Sequence, residues 1–135
     1  MAYWLVKSEP FKYSWDQMVK DGRTHWDGVR NHQAAANLRA MQVGDRAFFY
    51  HSNEGKEIVG VVEIVRTAYP DPSDESGKFV MVDVAPIGPV KRAVTLAEMK
   101  ANPQLADLAL IRQSRLSVVP VSDAHWAIIS ELAGA

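Results

Sequence analysis

No cysteine occurs in the 135 residues. That excludes disulfides, thiolate nucleophiles and cysteine-ligated zinc. Net charge is nearly absent as well: 15 Lys and Arg stand against 16 Asp and Glu, leaving −1. A protein that coats nucleic acid through phosphate contacts alone needs more positive charge than this. No apolar run is long enough for a membrane span. The N-terminal MAYWLVKSEP lacks the basic-then-apolar order of a signal peptide. The chain is therefore expected in the cytoplasm, or in the nucleus of a eukaryote, without membrane contact. His25, His32, His51 and His125 lack the short spacing of a metal motif, so neither metal nor cofactor is expected. Gly-rich phosphate loops, G-x-S-x-G and H-E-x-x-H are missing too, and a Ser8–His51–Asp triad has no motif behind it.

What is present suits one compact domain over residues 1–135, with 47% apolar residues to fill its core. Local charge is uneven, with cations in excess over 22–46 and 87–116. Tyr3–Lys7 is β-branched and aromatic and reads as a strand. Ser14 caps a helix that Gly22 ends, with Gln17 as capping-box partner and Trp15, Met18 and Val19 on one face. A second helix is expected over 32–42, strands over 46–51, 57–67 and 79–86, and a short helix after Thr95, stapled by Val94 and Met99. A last strand over 115–121 leads to a helix capped by Ser122. The stretch Tyr69–Gly77 reads as an exposed, mobile loop. Strands without helical crossovers exclude a doubly wound sheet. They predict an α+β fold, a small curved sheet closing toward a barrel with helices outside.

Three segments keep polar and aromatic residues that structure alone does not demand: Lys7–Pro10, Trp26–Asn31 and Phe49–Asn53. Loops beside strand ends are where small folds place binding groups. Trp26, read as a loop residue between polar neighbours, is either a lid on the core or a stacking platform for a base, worth about 1–3 kcal/mol. Asn31 can read a base edge or cap the second helix. Ser8 can contact a base or tie its turn. His51 and Ser52, at a strand end, are better wall candidates than Tyr50. Lys7, Arg30, Arg112 and Arg115 suit phosphate contact or ordinary ion pairs, with Glu9 or Asp83 as carboxylates for the last two.

The segments YWLVKSEP (3–10), WDGVRNHQAAANLRAM (26–41), VGDRAFFYHSN (43–53), VGVVEIV (59–65), AYPDP (68–72), VTLAEMK (94–100) and RLSVVPVS (115–122) together resemble the EVE domain, of the PUA-like superfamily. The resemblance implies a small β-barrel with surrounding helices, similar to YTH, PUA and SRA-type modules. It also implies binding of modified bases in DNA or RNA, with Lys7-Ser8 and Trp26 at a YTH-like pocket. One departure is the 71–79 stretch. Its single aromatic is Phe79, so a second aromatic wall is not expected from there.

The function expected is a nucleic-acid-binding module, monomer or weak dimer, taking up one modified base of DNA or RNA. The base would lie on Ser8, Trp26, Asn31, His51 and Ser52, with phosphates on Lys7, Arg30, Arg112 and Arg115. Trp26→Ala should then abolish binding without harming the fold. A methyl group buried in the pocket adds about 0.8 kcal/mol, roughly fourfold in affinity. The alternative is a small hydrolase of modified nucleosides on the same scaffold, with Lys7, Glu9 and His51 as candidate bases.

Overall fold

The structure, a computed structural model, describes residues 1–134. Its strands are Tyr3–Ser8 (β1), Thr24–Trp26 (β2), Arg46–His51 (β3), Glu57–Pro70 (β4), Val80–Thr95 (β5) and Val118–Val121 (β6). Its helices are Trp15–Asp21 (α1), His32–Ala40 (α2), Leu96–Ala101 (α3), Ala109–Arg112 (α4) and Asp123–Ala133 (α5), with a 3₁₀ turn at Pro103–Leu105. None of these helices is long and apolar enough to cross a membrane.

The strands form one mixed sheet in the order β2-β5-β4-β3-β1-β6. Only β1 and β3 run parallel. The fold is α+β, as expected, but the sheet stays open instead of closing toward a barrel. Its edges explain this. β2 has three residues and β6 four, and Pro120 of β6 has no N–H to give a closing ladder. Repeated register shifts between β4 and β5, and one between β3 and β4, bend the sheet.

Local chemistry sets the helix ends. Ser14, Asn31, Thr95 and Ser122 each cap a helix through the side-chain oxygen. Gly22 ends α1 at φ +70°, where a residue without Cβ is favoured. In α1, Trp15 and Met18 are buried, but Val19 points to solvent, so the apolar face is narrower than expected.

Successive residues of β3 feed opposite sides of the sheet. Phe48 stacks on Trp126 of α5 at 3.8 Å, and Tyr3 lies on Trp126 at 4.3 Å. Phe49 meets Trp15 and Trp26 edge-on at 5.4 and 5.6 Å. Gly60 of β4 lies directly under the Trp15 ring, and a Cβ there would collide with it. The buried Asp45 ties the start of β1 to the turn before β3, accepting from Ala2 N, Trp4 Nε1 and Gln42 N. Desolvation opposes the charge of Asp45, yet these bonds outweigh it and lower its pKa.

Candidate nucleic-acid interface

Two adjoining clefts open at the C-terminal end of β1. Lys7, Ser8, Lys12 and Ser117 line both. The smaller, about 510 Å³, has Trp26 in its wall, with Tyr13, His25, Asp27 and Arg30 around it. The larger, about 790 Å³, includes Tyr50, Ser52, Lys56, Lys100 and Arg115.

Trp26 is not in a loop. It ends β2, opposite Val82 of β5, and is 8% exposed. Its ring packs edge-on against Phe49 at 5.6 Å and Tyr13 at 6.4 Å. It is at once a core residue and a wall of the smaller cleft. The strand that carries it is anchored by the buried Asp83, which accepts from Arg23 at 2.9 Å and from the Tyr69 hydroxyl, and bonds the His25 ring at 2.9 Å. Desolvation pushes the Asp83 pKa up, but the three partners override it and hold the carboxyl at about 2.

The chain turns away from Trp26 at Gly28, φ +77°. Its N–H donates to Asp71 at 2.9 Å, and Arg30 reaches the same carboxylate at 3.1 Å and Ser73 at 2.9 Å. The expectation of an exposed loop from Tyr69 is corrected here. Tyr69 and Pro70 belong to β4, and Asp71 is buried. Asp71 itself turns inward because it satisfies Gly28, Arg30 and Ser73 together, while residues 72–73 and 75–77 stay exposed as expected. Desolvation is again outweighed by hydrogen bonds, and the Asp71 pKa falls to about 2. Phe79 supports the same rim: Arg30 lies 5.5 Å above it and His32 stacks on it at 5.0 Å.

Lys7 and Ser8 stand at the meeting of two clefts, where one shared pocket was expected. Ser8 ties its turn, donating to the Tyr13 carbonyl at 2.6 Å. Lys7 donates to the Ser114 carbonyl at 2.8 Å, and burial lowers its pKa. Asn31 takes its capping role, accepting from Ala34 N at 3.0 Å, and lines neither cleft. It borders a shallow third depression with Arg112 and Arg115. Arg112 pairs with Asp107 at 3.2 Å, while Arg115 joins that depression to the larger cleft.

His51 is the clearest correction. Its Nε2 accepts from the Trp15 backbone N–H at 3.1 Å, the first residue of α1, and it lines neither cleft. The ring must therefore carry its proton on Nδ1. Burial lowers its pKa and favours that neutral form. Ser52 lies in the larger cleft, apart from Trp26, and Tyr50 lies there with it. Tyr13, Asp71, Lys12, Lys56 and Lys100 were not anticipated. Only Asp71 left a local signal, the Asp-x-Ser spacing of a side-chain turn: its Oδ1 accepts from Ser73 N at 2.8 Å. Chemically, the smaller cleft offers an aromatic wall with a polar rim, and the larger one a cationic rim.

Proteins of known sequence and structure are similar to this chain. Human thymocyte nuclear protein 1 is 35% identical, with 97% of this chain and 73% of that protein aligned. A Rhodopseudomonas palustris protein solved by NMR is 58% identical with a TM-score of 0.94, over 99% of this chain and 94% of that one. Human THYN1 protein, solved in complex with 5-methylcytosine-containing DNA, is 34% identical with a TM-score of 0.92, over 100% and 99% of the two chains. The YTH domain of Zygosaccharomyces rouxii MRB1 protein shares the fold, with a TM-score of 0.62 at 17% identity, over 97% and 85%. The EVE domain model matches residues 2–132, and the chain belongs to that family.

Proposed function

We propose that this protein binds nucleic acid carrying a modified base and holds that base in the cleft beside Trp26. The supporting observation is the cleft itself: an aromatic wall rigidly packed from behind, next to Ser8 and Lys7 at a strand end. A similar protein, human THYN1, has been solved with 5-methylcytosine-containing DNA. Stacking contributes about 1–3 kcal/mol per base. Asp27, exposed on the rim, is an acceptor suited to the exocyclic amino group of cytosine or adenine. The reading is binding, not catalysis. His51 is committed to Trp15, Lys7 to Ser114, and Glu9 lies in the other cleft. The protein is taken to act as one domain.

Because Trp26 also fills the core, Trp26→Ala will cost about 3–5 kcal/mol of stability, contrary to the expectation of an intact fold. Trp26→Phe is the cleaner test, keeping apolar bulk while shrinking the stacking surface. Titrating oligonucleotides with 5-substituted cytosines or N-methylated adenines should show tighter binding than their unmodified counterparts, and Trp26→Phe should weaken it several-fold. If the wild type binds no oligonucleotide, modified or not, the proposal fails. Equal affinity of Trp26→Phe and wild type would move the base elsewhere.

A further inference from the structure

The larger cleft adjoins the one proposed for the base, and its lining suits an anion. Lys7, Lys12, Lys56, Lys100 and Arg115 line it, against the single carboxylate Glu9. Glu9 is 3.9 Å from Lys12, while Lys56, Lys100 and Arg115 make no ion pair among the described residues. On a protein of net charge −1, such a cluster repels itself unless an anion is present.

Two further observations point the same way. Tyr50 is 97% buried (3% exposed) and lines this cleft. Its hydroxyl has no hydrogen-bond partner among the described residues, yet no buried side-chain polar atom goes unsatisfied. The hydroxyl is therefore open to the cleft, where a ligand can meet it. Lys56 is held at φ +49°, a left-handed conformation that side chains other than Asn, Asp and Gly rarely adopt. Its carbonyl is fixed by Leu96 N at 2.8 Å. Glycine would sit there with less strain, so the position carries a lysine against the preference of its backbone.

We infer that the larger cleft binds the phosphodiester backbone of the nucleotide next to the held base, through Lys12, Lys56, Lys100 and Arg115, with the Tyr50 hydroxyl contacting sugar or phosphate. This rests on the nucleic-acid reading above. Because the two clefts share Lys7, Ser8, Lys12 and Ser117, a strand whose base enters one runs directly into the other. Leu96 and Leu110 add apolar lining that suits the face of a sugar or base.

The test is titration of a modified oligonucleotide and its unmodified counterpart at several salt concentrations, against Lys56→Gly, Lys100→Ala, their combination and Lys20→Ala. Lys20 is an exposed cation outside both clefts. Each cleft variant should weaken binding to both oligonucleotides by the same factor. Each should also flatten the log–log salt slope by about 0.7–0.9, and the pair by about 1.5. Lys20→Ala should leave the slope unchanged. Lys56→Gly relieves the backbone, so its loss of binding cannot be put down to misfolding. Wild-type binding with unaltered slopes in the cleft variants overturns the inference, as does a slope lost equally in Lys20→Ala. A wild type that binds no oligonucleotide instead overturns the functional reading on which it rests.

Discussion

The Asp71 carboxylate collects Gly28 N, Ser73 N, the Ser73 hydroxyl and Arg30 inside the protein. Arg30, read from the sequence as a phosphate contact, binds this carboxylate and Ser73 instead. Its role is to hold the rim beside Trp26. Asp71 has a folded pKa of about 2, below its ordinary 3.8. A depressed carboxylate pKa stabilises the fold above the ordinary value, and that stability is lost as pH falls toward the folded value. The linkage is worth about 2 kcal/mol. Asp71→Asn should therefore be less stable than wild type by about that amount at pH 7. The gap should narrow between pH 4 and pH 2. Urea unfolding at pH 7, 4 and 2.5 measures it, and a gap independent of pH would contradict the assignment. Asp83 titrates in both proteins and cancels in the comparison.

At the scale of elements, the close approach of α1 to β4 depends on Gly60. Gly60→Ala would drive a methyl group into the Trp15 ring and should cost about 1–3 kcal/mol, seen as a lower denaturant midpoint. Gly88→Ala in β5 meets open space and should leave the midpoint unchanged or slightly raised. The helix caps at Ser14, Asn31, Thr95 and Ser122 were legible in the sequence because capping is chemistry within a few residues. Strand extents were not. β5 was expected to stop at Pro86, yet it runs to Thr95 because Pro86, Gly88 and Pro89 sit where the register with β4 slips. β4 likewise passes Thr67 to reach Pro70, and β6 starts at Val118, three residues after Arg115. β2 escaped notice because three residues carry no period, and its pairing depends on Asp83, nearly sixty residues away. The 3₁₀ turn and α4 also went unforeseen. For the site, Lys7, Ser8 and Trp26 could be read from local oddity. The hydrogen bond from Trp15 N to the His51 ring could not, because that partner is set by tertiary packing.

Across the whole molecule, a nearly neutral body presents one cationic cleft, so the wild-type salt slope should be shallow compared with proteins that coat nucleic acid. β1 is the strand on which the site turns, and it lies between β3 and β6, pairing Tyr3 with Arg46 on one side and with Val121 on the other. Lys7 N also donates to Ser117 O at 3.0 Å. A fragment of residues 1–116 should accordingly lose cooperative unfolding and oligonucleotide binding together. A sharp melt in that fragment would show that β6 is dispensable. On the ribosome, Tyr3 emerges early and then waits for Val121, about ten seconds at typical translation speeds. Throughout that interval the nascent chain is surrounded by ribosomal and messenger RNA but has no finished site with which to hold either. On the proposed reading, the grip on nucleic acid forms only when the last strand arrives, so the order of synthesis itself delays the finished clefts until the chain is nearly complete.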